Sequence, residues 1–272
     1  MKRAILRIAL AVVSLPVFSR LWGRIMGLKR PRCLVRRAIR AYCRHYRIDM
    51  DQYQGQLDDY RCLVDFFVRP FDPVKRPLNR TPGAIVSPAD GFLQGIQAIS
   101  VDQATQVKGI QYTISGLIRQ DLDFSAGFYL ATIYLSPANY HRFHYPVSAG
   151  LEGYCHARGR LFPVNALGMN LVKGLFTRNE RIISRFSITG APLFMVAVGA
   201  SFVGSIKMVF IDRIKRDNLW HEVNLEVNQA DEMGRFEMGS TVILLVPASL
   251  AAPDYDRVGK PIFVGDPLFS LT

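Results

Sequence analysis

Three short stretches of this chain hold side chains able to move protons or attack a carbonyl. The first is Ser87-Pro88-Ala89-Asp90-Gly91, which supplies a carboxylate within a run of residues that favour tight turns. On the residues alone it reads as a plain turn, with a catalytic Asp90 as the minor alternative. The second, Tyr140-His141-Arg142-Phe143-His144-Tyr145-Pro146, holds two of the five histidines. A metal pair at this spacing wants a helix and a third ligand, and Pro137 and Pro146 leave little room for a helix. A proton-carrying imidazole fits better, because its ordinary pKa lies near neutrality. The third is Met238-Gly239-Ser240-Thr241, leading directly into Val242-Ile243-Leu244-Leu245-Val246. It is either a glycine turn before a buried strand or a hydroxyl nucleophile held at the start of one. It lacks the second glycine of a nucleophile elbow, and an apolar run rather than a helix follows it.

The elements that must position these residues are mostly strands. Past Pro82 the chain breaks into short apolar runs bounded by Gly and Pro, such as Phe128 to Leu135, Leu193 to Val198 and Thr241 to Val246. Ile206, Met208 and Phe210 alternate with Ser205 and Lys207, and Val223, Leu225 and Val227 alternate with Asn224 and Glu226, the period of half-buried strands. A short helix and turn are expected over residues 53–69, ending at Arg69-Pro70 and Asp72-Pro73, and a further helix over residues 165–176. Repeating β-α units are absent. The expectation is an α+β chain: a mostly antiparallel β catalytic domain over residues 83–272, a helical or turn connector over 49–82, and a basic amphipathic helical segment over 1–48.

The net charge of +12 belongs to that first segment. Residues 1–48 carry 13 of the 34 Lys and Arg and no acid, leaving 21 basic against 22 acidic residues in the body. Nucleic-acid binding would place the basic residues on the folded body, so it is not expected. The uncharged run from Ile8 to Ser19 is interrupted by Pro16 and falls well short of the roughly 20 residues a spanning helix needs. A signal peptide would want a cleavage site that does not follow. From Cys33 to Ile48, Val35, Ala38, Ile39, Tyr42 and Tyr46 form one helical stripe among Arg36, Arg37, Arg40, Arg44 and Arg47. Such a helix lies in a headgroup layer with its arginines among phosphates, or packs on the body with a solvated basic face. The uninterrupted positive sign favours peripheral, cytoplasm-facing attachment to an anionic membrane, with a mitochondrial inner membrane as the alternative address. Cys33, Cys43, Cys62 and Cys155 form no C-x-x-C pair, which points away from a disulfide scaffold or structural zinc.

Taken together and in this order, the three stretches resemble the signatures of pyruvoyl-dependent bacterial phosphatidylserine decarboxylases. Phe66-Phe67-Val68-Arg69-Pro70, Leu175 to Arg181, Val198-Gly199-Ala200 and Gly204-Ser205-Ile206 are similar to that family too, as is the basic leader. Met238 stands where relatives usually have leucine, a swap that keeps volume and apolarity. Asn228-Gln229-Ala230-Asp231 lacks a glycine common there, and the C-terminal tail diverges. The resemblance implies that Asp90 orients His144, which takes the proton from Ser240 as that hydroxyl attacks the Gly239 carbonyl. Cleavage after Gly239 would leave a large chain (1–239) and a small chain (240–272), with Ser240 converted to a covalent pyruvoyl group. Phosphatidylserine would then form a Schiff base there and lose CO2 to give phosphatidylethanolamine. His144 would also protonate the α-carbon, and His141 is a candidate substrate contact. Neither a metal nor pyridoxal phosphate is implied. The two chains would form a heterodimer, with higher assembly left open. Two other classes compete: a membrane-associated serine hydrolase using the same triad on an intact chain, and a basic membrane adaptor needing only residues 1–48.

Overall fold

A computed structural model describes Leu10 and residues 14–107, 109–201, 206–237 and 240–272. Met238, Gly239 and Ser205, and most of the run from Ile8 to Val13, lie outside the described residues. The helices are α1 (Pro16–Met26), α2 (Arg32–Tyr46), α3 (Leu63–Phe67), α4 (Ile114–Ile118), α5 (Ala166–Leu171) and α6 (Leu175–Arg178). The strands are β1 (Ala84–Val86), β2 (Gly91–Ile99), β3 (Ala104–Val107), β4 (Ile110–Tyr112), β5 (Phe128–Leu135), β6 (Arg142–His144), β7 (Ala149–Ala157) and β8 (Arg181–Ile188). They continue as β9 (Ala191–Gly199), β10 (Ile206–Met208), β11 (Trp220–Val227), β12 (Glu232–Phe236), β13 (Ser240–Pro247), β14 (Ala251–Pro253), β15 (Pro261–Ile262) and β16 (Pro267–Leu271).

Eight strands make one sheet in the order β11-β7-β8-β9-β13-β5-β2-β15, and every pairing in it is antiparallel. β13 lies inside it, buried along its whole length between β5 and β9. A strand covered on both faces reads as an unbroken apolar run, which is why Val242 to Val246 do not alternate with polar residues. Val242, Leu244 and Val246 pack into one core with Phe143, Ile206, Met208 and Phe236 of the small sheet β10-β12-β6. Ile243 and Leu245 pack into a second core with Ile114, Leu117, Met169, Leu175 and Phe176 from α4, α5 and α6. A further small sheet, β1-β16-β14, closes the first face through Ile85, Leu268 and Phe269.

The short helix and turn expected over 53–69 are present, as turns and a bridge between Tyr53 and Phe71 followed by the helix Leu63–Phe67. Two other local expectations need correction. The helix over 165–176 is two short ones, because Val172 is extended and Gly174 takes a left-handed φ of 61°. In β11 the alternation fails at Leu225, 40% exposed, since a bulge between Glu222 and Leu225 puts Asn224 at φ 56° and re-aims the strand.

The α2 stripe takes the second of its two options. Val35, Ile39 and Cys43 are buried against Tyr60 and Phe66, and Tyr42 donates its hydroxyl proton to the Pro137 carbonyl. Arg36 and Arg40 lie beside Asp58 on the outer face. Exposed apolar side chains are more numerous on α1, where Val17, Phe18, Leu21, Trp22 and Ile25 reach the surface, than on α2, where Leu34 does. Among the described residues no helix is long and apolar enough to cross a membrane.

Candidate active site

Ser240 opens β13, where it pairs with Leu135 of β5 and Gly199 of β9. By strand alternation its side chain shares a face with Val242 and Leu244, the face covered by β10-β12-β6, while Thr241 points to the helical side. Both residues are buried, and among the described residues neither hydroxyl has a hydrogen-bond partner. A buried hydroxyl without a partner is costly, and Ser240 and Thr241 each carry one at the head of β13.

The segment bearing the two histidines is fixed from several sides. Fully buried Arg69 donates to the Ala138 and Asn139 carbonyls and to Phe66, and lies over the Tyr53 ring at 4.2 Å. This gives Phe66-Phe67-Val68-Arg69-Pro70 its work, which is to pin the turn that enters the histidine segment. Arg142 donates to the Val68 carbonyl and pairs with Glu232 at 2.7 Å. The His144 N–H donates to the Pro88 carbonyl and Tyr145 N–H to the Asp231 carbonyl, which draws the aspartate turn, β6 and β12 together.

His144 itself has a defined tautomer. The Ala230 carbonyl, 2.7 Å from Nδ1, can only accept, so Nδ1 carries the proton. The Tyr140 hydroxyl, 3.0 Å from Nε2, then donates to the remaining lone pair. Burial pushes the His144 pKa below the usual imidazole range, against the smaller opposing effects of the Ala230 hydrogen bond and the Glu232 and Asp90 charges. It is therefore a neutral base at neutral pH. Ala230 reaches this position with φ 68°, a left-handed conformation for which glycine is better suited. Tyr140 is stacked on Phe71 at 3.6 Å, so its hydroxyl is aimed by an aromatic wall.

Asp90 is not hydrogen-bonded to His144. Arg76 takes both of its oxygens, at 2.7 and 2.8 Å, and the Val264 N–H donates to it at 2.9 Å. Burial works against the Arg76 charge, but the Asp90 hydrogen bonds and charge outweigh it and raise the guanidinium above its ordinary pKa. Arg76 also stacks on Phe71 at 3.8 Å and donates to Gln52. Its role has no sequence signature, because its partner lies in another motif and its support comes from residue 71. Arg76, Tyr140, Arg142, His144 and Glu232 line a common cavity of about 470 Å³.

His141 is buried and stacked face to face on Phe67, with ring centroids 3.9 Å apart. Its Nε2 donates to the Ser136 carbonyl, next to the residue that pairs with Ser240, and its Nδ1 has no partner among the described residues. Burial, then the Arg69 charge, depress its pKa to about 3. The Phe236 N–H donates to its carbonyl, so His141 lies against the end of β12, four residues before Ser240. The structure thus brings Tyr140 and His144 to one cavity, with Asp90 behind it and joined to it through Arg76, and places Ser240 and His141 beside the junction of β5, β12 and β13. Among the described residues no cluster of metal-ligating side chains occurs.

The profile of the family described as phosphatidylserine decarboxylase matches residues 63–270, from the start of α3 into β16. The chain is 37% identical over 257 residues to the phosphatidylserine decarboxylase proenzyme of Brevibacillus brevis, covering 90% of this chain and 92% of that one. It is 36% identical over 266 residues to the Bordetella pertussis protein of the same name, covering 92% and 89%. The Salmonella newport proenzyme is 36% identical over 264 residues, covering 89% and 81%. With the motifs, the buried serine and the match along nearly the whole length in agreement, the chain belongs to the phosphatidylserine decarboxylase family, decarboxylases that are processed from a proenzyme.

Proposed function

We propose that this chain cuts its own backbone between Gly239 and Ser240, converts Ser240 to a pyruvoyl group, and uses that group to decarboxylate phosphatidylserine to phosphatidylethanolamine. The observation that carries the proposal is the unpartnered, buried hydroxyl at the head of a wholly buried strand. Attack of Oγ on the Gly239 carbonyl forms a C–O bond and breaks the C–N bond, giving an ester. Elimination then expels the Gly239 carboxylate, and hydrolysis of the resulting enamine releases ammonia and leaves a ketone. The balance needs water and no oxidant. His144 is the base for the serine proton, with Nδ1 tied to Ala230 and a basic Nε2 exchanging its Tyr140 contact for the incoming proton. Asp90 acts through its charge, which favours the imidazolium that forms, while Arg76 holds the carboxylate in place.

Once formed, the pyruvoyl carbonyl supplies the electrophile that takes up the electrons released as CO2 leaves. The residues around Ser240 suit such a group: Leu135, Val242 and Phe236 keep the strand end dry, and the free Nδ1 of His141 is a contact for the polar substrate head. His144 holds a proton for the α-carbon. The exposed apolar face of α1, with Arg24 and Lys29 beside it, supports peripheral attachment to the cytoplasmic side of an anionic membrane, where the substrate lies.

A denaturing gel tests the proposal. The wild-type chain is expected to run as two bands and Ser240→Ala as one inert band. A Ser240→Ala chain that still splits would place the cleavage elsewhere, and an active wild-type chain that never splits would make it an ordinary hydrolase-type enzyme.

A further inference from the structure

Beside the loop between β10 and β11 lies a second cavity, of about 840 Å³, that the chemistry above does not use. Six cations line it from four parts of the chain: Arg158 after β7, Lys207 on β10, Arg213, Lys215 and Arg216 in the loop, and Arg235 on β12. None of the six is in an ion pair among the described residues. Two acids also line it, Asp212 and Asp217, and Asp217 is engaged by His221 at 2.9 Å. The body beyond residue 48 has slightly more acids than bases, so an unpaired cluster of this sign is a local departure from its surroundings. Like charges gathered around a concave surface repel one another and focus a positive potential, a cost that an anionic ligand relieves. Arginine and lysine together match phosphate oxygens.

From this cavity we infer a docking site for the phosphate group of an anionic phospholipid at the bilayer surface, separate from the lipid being decarboxylated. A lipid is favoured over a soluble phosphate by what flanks the cavity. Val209 and Leu219, at the two ends of the loop, are 57% and 62% exposed, so apolar side chains bracket the cations as in an interfacial segment. α1 lies at the same end of the molecule. Glu237, two residues beyond Arg235, shares a cleft with Gly23, Arg24 and Lys29, and the Leu161 N–H, close after Arg158, donates to Ser14 just before α1. The exposed apolar face of α1, the basic cavity and the start of β13 therefore lie together. On this arrangement α1 supplies apolar insertion, and the basic cavity sets the rotation of the body on the membrane so that the Ser240 end faces it. The inference rests on the proposed action on a bilayer lipid.

The test is co-sedimentation of the full chain with phosphatidylcholine vesicles, with and without added phosphatidylglycerol, at fixed ionic strength. Replacing Arg213→Gln, Lys215→Gln and Arg216→Gln together is expected to weaken binding to the phosphatidylglycerol vesicles on the order of 100-fold, with binding to pure phosphatidylcholine unchanged. A control variant with the same charge change, Lys75→Gln, Lys173→Gln and Lys260→Gln, removes exposed cations away from the cavity and is expected to lose less than about threefold. Equal losses in the two variants, or no loss in the first, overturn the inference. Release of the wild-type chain by inorganic phosphate, and not by chloride at the same ionic strength, would make it a soluble-phosphate site and overturn the lipid assignment. Processing and decarboxylation of detergent-dispersed phosphatidylserine by the wild-type chain report separately on the family chemistry. Their failure would sink that reading and leave the vesicle result interpretable.

Discussion

At the scale of residues, the site rests on two hydrogen-bond choices that burial forces. His144 can give its Nδ1 proton only to the Ala230 carbonyl, so the Tyr140 hydroxyl donates to Nε2 and stabilises the neutral ring. Tyr140→Phe removes that donor and raises the His144 pKa, moving the acid limb of the self-cleavage pH profile upward by roughly half a unit to one unit. In the wild-type chain the limb is expected below about pH 6.5, because burial favours the neutral base. A Phe variant whose limb stays in place would leave Tyr140 a packing residue. Arg76 and Asp90 make the second choice. Arg76→Met strands a buried carboxylate and is expected to cost about 3–5 kcal/mol in unfolding free energy, much of it restored by adding Asp90→Asn. A loss below about 1 kcal/mol would mean the pair behaves as a surface bridge. The types and order of Asp90, His144 and Ser240 were legible in the sequence. Arg76, Ala230 and the donor role of Tyr140 were not, because each depends on a partner brought close only by folding.

At the scale of elements, the sequence was informative where a segment has one way to satisfy its side chains. The apolar run of β13 needs cover on both faces and obtains it. The α2 stripe had two ways, lipid or protein, and Tyr60 and Phe66 decide for protein. β11 loses its alternation because a backbone bulge, invisible to side-chain pattern, turns Leu225 outward. α1 presents Val17, Phe18, Leu21, Trp22 and Ile25 at the surface, so it is the element through which the proposed membrane attachment is tested. Leu21→Ser, Trp22→Ser and Ile25→Ser together remove most of that apolar surface. Each buried side chain is worth about 1.5–3 kcal/mol, so the variant should move from vesicles to the soluble fraction in a flotation assay. Undiminished flotation would assign the anchor to another segment.

At the scale of the whole molecule, cleavage after Gly239 would free very little. The small chain would keep β13 between β5 and β9, β15 on β2, and β16 between β1 and β14. Its side chains run through the first core, so the two chains would remain one folded body held by sheet hydrogen bonds and packing. Cys33, Cys43, Cys62 and Cys155 are all free, so no disulfide joins the chains. The break would therefore change the chemistry at one atom while leaving the architecture standing. Intact-mass spectrometry of the purified active protein, before and after borohydride, addresses this most directly. The account predicts a fragment spanning residues 240–272, lighter by one ammonia than its simple hydrolysis product and gaining two hydrogens on reduction as activity disappears. An active chain of full mass, or a fragment that still begins with serine, would contradict it.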